Sequence, residues 1–390
     1  MIVRYGTTKN GKRVKVAEIY TLQEHGIGRN AIDPDALRIT DRLNAEGFSA
    51  YIVGGAVRDL LLGKKPKDFD VATDALPRRV RKIFWHSRII GKRFRLVHVQ
   101  QGKNIIEVST FRSGLNGNDN NVYGSLDEDV KRRDFTCNAL YYAPKEQYII
   151  DYVGGFRDIS KRWLVPLLPI ETIFTEDPVR MIRALKYAVC GKFTIPFTLR
   201  RRIRKDAPLL DGCSSSRMTE DLFKILQCGS AASILRTMND YAVLRYILPG
   251  IDRNVGGKRG GTAAIALWKS LEELDLLIAS GKFPSEAAEK GIPGSTDEIS
   301  RGRMLSYFLF PFIQLRGEEE GAEHALKNAF RDAKEVLLPL TPSNSDLEEA
   351  VRIICRNKGL RLPRPSGKYQ RKKPRVQHRR KRPAVRVAEE

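Results

Sequence analysis

The sequence predicts an α+β protein: a small mixed-sheet head, then domains made only of helices, then a basic tail. Three observations predict it. Short apolar strand-like runs alternate with glycine-bounded amphipathic segments up to Gly155. From Phe174 onward the apolar spacing is helical. After about residue 360 the chain is rich in Pro, Arg and Lys and nearly free of core residues, which predicts disorder. A length of 390 residues suits two or three domains. With 42% hydrophobic residues the chain can build cores, so a wholly disordered protein is excluded.

The elements follow in order. Residues 1–30 read as a poorly ordered basic lead-in, and the head is expected over 31–160. Asp33 and Pro34 are placed as N-cap and first helical residue, and Gly47 as the stop. A strand over Ser49 to Val53 leads through Gly54-Gly55 into a helix ending at Gly63. Strands are expected at Asp68–Ala72, Phe94–Gln100 and Ile105–Phe111, the last two joined as a hairpin at Gln101-Gly102-Lys103. Ser113 to Ser125, rich in Gly and Asn, reads as a mobile loop. Helices are expected at 175–190, 198–207, 219–228, 231–239, 263–280, 302–315, 321–337 and 345–357. They divide into helical domains over 161–250 and 251–358, with a disordered tail at 359–390.

Charge and cysteine content narrow the classes. The net charge is +23. Residues 356–390 hold 14 Lys or Arg against two acids, a local excess of 12, and the remaining chain holds the other 11. Such a tail suits a polyanion, with nucleic acid ahead of an anionic membrane surface. No apolar run approaches the roughly 20 residues of a spanning helix, so no membrane partner is expected. The start lacks the apolar core of a secretory leader. Five cysteines without C-x-x-C argue against a disulfide framework and for a reducing, cytoplasmic compartment.

Four features can carry chemistry. Gly54-Gly55 at a strand-to-helix junction is either a tight turn or a phosphate cradle. Asp68 and Asp70, two apart on a strand, face one way; they either hold a hard divalent cation or pair with Lys64, Lys65 and Lys67 in solvent. Glu107 shares a strand face with Ile105 and Ser109, and matters only if its strand lies beside Asp68 and Asp70. Asp177, Arg180 and Arg183 fall on one side of a helix, where they either read a ligand or complement the helix dipole and form a Glu176–Arg180 pair. The five histidines share no spacing and are assigned no catalytic role.

Together these parts resemble the class II family of tRNA CCA-adding enzymes and bacterial poly(A) polymerases. The string Gly54-Gly55-Ala56-Val57-Arg58-Asp59 followed by Asp68-Phe69-Asp70 resembles the first family signature, and Arg132-Arg133-Asp134-Phe135-Thr136 with Asn138 the second. Glu176-Asp177-Pro178-Val179-Arg180 with Arg183 resembles the nucleobase-reading motif. The resemblance covers about residues 35–245. It implies a polymerase-beta-like nucleotidyltransferase head, with a helical neck and body behind it. It also implies that Asp68 and Asp70 hold two Mg²⁺ ions, with Glu107 assisting. Gly54, Gly55, Arg58 and Arg133 would meet the triphosphate of ATP, Asp134 and Asn138 the ribose, and Asp177, Arg180 and Arg183 the base. The implied partner is an RNA 3′ end, of mRNA, tRNA or another RNA. The run Ile90 to Val99 and the tail resemble the poly(A) polymerases, and Arg371, Lys372, Lys373, Arg379, Arg380, Lys381 and Arg382 are assigned to RNA phosphates. A CCA-adding or partial CC/A-adding enzyme is the alternative. A non-catalytic RNA-binding protein is disfavoured by the full set of acids.

Overall fold

The computed structural model describes residues 1–7, 13–91, 95–102, 104–113, 122–255, 261–281, 299–317, 319 and 321–362. A nine-stranded sheet forms the head, in the order β1-β2-β9-β8-β3-β4-β7-β6-β5. The strands are β1 (Ile2–Thr7), β2 (Arg13–Tyr20), β3 (Ala50–Val53), β4 (Asp70–Thr73), β5 (Ser87–Ile90), β6 (Leu96–Gln101), β7 (Asn104–Thr110), β8 (Leu140–Ala143) and β9 (Tyr148–Asp151). Among the described strands only the β4–β7 pair runs parallel, so the sheet is mixed as expected. It is larger than expected.

The extra size comes from segments whose local signal is weak. The lead-in is corrected: residues 2–7 and 13–20 form an antiparallel pair, and β2 joins β9 through Glu18↔Asp151, Ile19↔Ile150 and Tyr20↔Ile149. Charged residues hide this strand in the sequence, since its buried apolar residues are Ala17 and Tyr20. Tyr20 stacks on Phe156 with ring centroids 3.9 Å apart. Strands β5, β8 and β9 also escaped the sequence reading. In β8 all four residues are buried, so no alternation marks it.

Six helices belong to the head: α1 (Leu22–His25), α2 (Pro34–Ala45), α3 (Gly55–Leu61), α4 (Pro77–Ile83), α5 (Leu126–Lys131) and α6 (Gly155–Ser160). Asp33 caps α2 as expected, its carboxylate accepting from Asp35 N and Ala36 N. The pleat sends alternate residues to opposite layers. Ile52, Val71, Val108 and Tyr142 enter the main core, while Val53, Ala72 and Tyr141 build a smaller core with Phe111 and Val130 of the α5 side. The β6–β7 hairpin forms as expected around Gly102, at φ 58°.

The other described elements are helices: α7 (Ile173–Glu176), α8 (Arg180–Gly191), α9 (Phe197–Asp206), α10 (Ser215–Leu226), α11 (Ala231–Asp240), α12 (Leu244–Ile247), α13 (Pro249–Val255), α14 (Thr262–Ser280), α15 (Arg301–Leu309), α16 (Ala322–Leu337) and α17 (Asn344–Asn357). Three expectations are corrected. The helix over 175–190 is two helices, because Pro178 disfavours helical backbone at Asp177, which sits at φ −152°, ψ 94°. The helix over 219–228 starts earlier, at Ser215 behind an N-cap Ser214. The helix over 302–315 ends at Leu309. Most of the glycine-rich 256–261 and 281–301 stretches, and the tail from 363 on, lie outside the described residues. Among the described residues no helix is long and apolar enough to cross a membrane.

Candidate active site

The acids meet at one end of β3 and β4. Val53, the last residue of β3, pairs with Asp70, the first of β4. The parallel register Val71↔Val108 then puts Glu107 of β7 beside Asp70. Asp68 precedes β4 rather than lying in it, a correction to the expected strand, so its position comes from the loop after α3 and not from the pleat. All three acids nevertheless share one electrostatic neighbourhood. Burial, then Glu107, then Asp68 push the Asp70 carboxyl up to about 6, against the pull of Arg133 and Lys224.

Gly54 makes the approach to this corner possible. Its backbone sits at φ 71°, ψ −131°, a region closed to side chains. A Cβ there would lie 3.6 Å from an Arg133 nitrogen and 3.9 Å from Asp70 Oδ2. The glycine therefore keeps open the space between a carboxylate and a guanidinium. Gly55 opens α3 immediately behind it.

Arg133 is fixed from behind. It donates to Tyr141 Oη at 2.8 Å, to the Asn138 carbonyl at 3.1 Å and to Asp129 Oδ2 at 3.1 Å, and Tyr141 donates to the same Asp129 oxygen at 2.6 Å. Arg132 is different. Its Nη1 is buried with no hydrogen-bond partner. Burial and the neighbouring Arg133 and Arg180 weaken its hold on its proton, despite Asp129. Arg112 adds a further positive charge to this cluster. A buried guanidinium nitrogen without a partner, amid this positive charge, suits an anion.

A second chain of contacts runs from the head into the helices. Arg58 donates to Asp59 at 2.8 Å and to Asn138 Oδ1 at 2.7 Å, and stacks over Tyr187 at 4.9 Å. Asn138 donates to Asp134 Oδ1 at 3.2 Å. Arg183 bridges Asp134 Oδ2 at 3.2 Å and Asp177 Oδ2 at 3.1 Å. Arg217 of α10 reaches the same Asp177 oxygen at 2.5 Å. Asp134 and Asn138 are thus buried and mutually bonded. Arg180 parts from this group: it donates to the Ile173 carbonyl at 3.1 Å and to Glu176 at 3.2 Å, the helical pair foreseen as the alternative.

Several participants escaped the sequence reading, though some left a signal. Asp129 lies four residues before Arg133, the spacing of a helical ion pair. His98 sits 3.1 Å from Glu107, and the hairpin register that pairs them follows from its turn. Arg217, Asp221 and Lys224 recur along one face of α10, and all three act electrostatically on the site or on each other. Tyr141 left no local signal. A further basic face is α9, where Arg200, Arg201, Arg204 and Lys205 are exposed beside an exposed Phe197. The assigned tail residues, Arg371 to Lys373 and Arg379 to Arg382, and positions 92–94 of the Ile90–Val99 run, lie outside the described residues.

Among the described residues no group of three or more His, Cys, Asp or Glu side chains is gathered tightly enough to cage a metal. A pair of carboxylates with hard oxygen donors still fits Mg²⁺, which completes its shell with phosphate oxygens and waters. The raised Asp70 pKa supports that fit, since a divalent cation relieves the crowding of negative charge.

Comparison with known proteins agrees with this geometry. Residues 50–165 match the family model "Poly A polymerase head domain", and residues 192–254 match "Probable RNA and SrmB- binding site of polymerase A". The chain is 40% identical over 247 residues to poly(A) polymerase I of Salmonella typhi, covering 59% of this chain and 53% of that protein. It is 38% identical over 222 residues to the CCA-adding enzyme of Geobacillus thermodenitrificans, covering 55% and 54%. The matched part therefore spans about half the length of these relatives. A solved Bacillus stearothermophilus CCA-adding enzyme in complex with CTP superposes with a TM-score of 0.52 at 27% identity, over 84% of this chain and 83% of the other.

Proposed function

We infer, for a chain that belongs to the class II nucleotidyltransferase family, that it is an enzyme adding AMP from ATP to RNA 3′ ends without a template. The observation that carries this reading is the convergence of Asp68, Asp70 and Glu107 beside Gly54 and Arg133. Asp68 and Asp70 would hold two Mg²⁺ ions, whose chemistry is to acidify the 3′-hydroxyl and neutralise the pyrophosphate. The RNA 3′-oxygen forms its bond to the α-phosphorus while the bond to the β-phosphate bridge breaks, and pyrophosphate leaves.

The chain's own residues orient the reactants. Gly54 and Gly55 let a triphosphate approach the backbone. Arg133, and the unsatisfied Arg132 with Arg112, supply positive charge for it or for an RNA phosphate. Asp134 and Asn138 would meet the ribose, and their mutual bond fixes their direction. For the base, Asp177 would accept, and Arg180 would donate once released from Glu176 and the Ile173 carbonyl. Adenine and cytosine both present an amino donor beside a ring-nitrogen acceptor on the pairing edge, whereas uracil and guanine present the reverse. Such a pair of side chains would favour A and C over U and G. It does not separate A from C.

Adenylation is favoured by the Ile90–Val99 run and by the basic tail, which suits a sequence-blind grip on RNA. The test is direct. The purified protein is incubated with Mg²⁺ and each nucleoside triphosphate singly, on oligo(A) and on tRNA lacking its C-C-A end. Long ladders with ATP alone on oligo(A) are expected. Short additions that need CTP and stop would replace this reading with C-C-A addition. Binding of RNA with no extension would leave a non-catalytic RNA-binding protein.

A further inference from the structure

Two cysteines meet where the helices support the acid-bearing loop. Cys190 lies in the last turn of α8, and Cys228 follows the end of α10. Their sulfurs are 3.8 Å apart, and both residues are partly exposed. The loop after α3, which leads directly into Asp68 and Asp70, rests on these same helix ends. Lys64 donates to the Cys190 carbonyl, and Lys67 donates to the carbonyl of Gln227, the residue before Cys228.

We propose that Cys190 and Cys228 form a reversible redox pair whose disulfide shifts this loop, and with it Asp68 and Asp70. The proposal rests on the transferase reading only for its effect on activity. A disulfide requires about 2.05 Å between the sulfurs, so they must close on each other, and whatever part of that closure χ1 rotation does not supply draws the two helix ends together. Lys64 and Lys67, each anchored to one of the two ends, carry that movement to the loop.

The chemistry is supplied by a peroxide. The Cys190 thiolate attacks a peroxide oxygen, the O–O bond breaks, and the released hydroxide takes a proton to become water. Cys228 then attacks the resulting sulfenic sulfur, the S–O bond breaks, and a second water leaves. Two thiols lose two electrons and two protons, and the peroxide gains them. Cys190 suits the attacking role. Its contact with Cys228 and the charge of Lys186 lower its thiol, while Cys228 is raised and keeps its proton. A dithiol reverses the bond by exchange.

The experiment uses the full chain, reduced and then treated with hydrogen peroxide. Three things are read: the Cys190–Cys228 cross-linked peptide, amide exchange over residues 63–70, and AMP incorporation on oligo(A). The cross-link is expected in the parent chain, with free thiols falling from five to three, and in Cys213→Ser, with free thiols falling from four to two. Exchange over 63–70 should change, incorporation should fall by about tenfold or more, and dithiothreitol should restore both. Cys190→Ser and Cys228→Ser should form no cross-link and resist peroxide. Oxidation elsewhere without the cross-link, or a cross-link that leaves exchange over 63–70 unchanged, would overturn the proposal. Cross-link and exchange need no nucleotide, so a reduced chain that incorporates nothing would sink the activity reading alone.

Discussion

Asp70 is the side chain on which stability and chemistry pull in opposite directions. The folded chain raises its carboxyl from the ordinary 3.8 to about 6, through burial and then Glu107 and Asp68. Between these values the folded state binds the proton more tightly than the unfolded state. Stability therefore falls as pH rises from about 4 to about 6, and the loss persists above that range. At 1.36 kcal/mol per unit the cost is about 3 kcal/mol at most. Asp70→Asn removes it. Thermal melts of the metal-free protein at pH 7.5 should show a higher Tm for the variant, the gain vanishing near pH 4, together with loss of AMP incorporation. Equal melting at both pH values would contradict the assignment. Mg²⁺ needs the ionised carboxylate, so its affinity, measured by calorimetry, should decline as pH drops below about 6.

Two breaks between elements shape the site. Pro178 stops α7 and turns the Asp177 carboxylate toward Arg183 and Arg217, which an unbroken helix would not allow. Arg183→Lys keeps the charge but loses the fork that joins Asp134 to Asp177. Hydrogen bonds to charged groups are worth about 1.5–3 kcal/mol, so kcat/KM for ATP should fall roughly tenfold to a hundredfold. Any incorporation of UTP should change little; an equal loss for both nucleotides would argue for general disruption. At the β9–α6 turn, Asp151 accepts from four successive amides, and Gly155 presses on the next layer. A Cβ on Gly155 would stand 2.2 Å from the Thr136 carbonyl oxygen. Gly155→Ala should lower urea stability by about 1–3 kcal/mol, the usual cost of overpacking.

Across the whole molecule, the helices set the electrostatics of the head. Lys224 of α10 acts on Asp70 and, after Arg133, opposes the rise of its pKa. Lys224→Ala should therefore move the pH dependence of Mg²⁺ binding to higher pH, although Lys224 belongs to no signature motif. An unchanged profile would refute this long reach. The tail is tested separately. Truncation after residue 359 should weaken oligo(A) binding and flatten its dependence on salt, because counterion release scales with the number of phosphates neutralised.

The sequence by itself determined the local devices. It placed the cap at Asp33, the hairpin at Gly102, the turn at Gly54 and the order of the three signatures, because each depends on neighbours within a few residues. It misjudged what depends on distant partners. The charged β2 gains its place only by pairing with β9, and the fully buried β8 shows no alternation. Only the tertiary structure decided that Glu107 stands beside Asp70, since a parallel register joins strands separated by a hairpin and a helix. It alone brought Lys224 to Asp70, Gln227 to Lys67 and Arg217 to Asp177. Fields and hydrogen bonds act through space, and no periodicity along the chain encodes which helix end will rest on which loop.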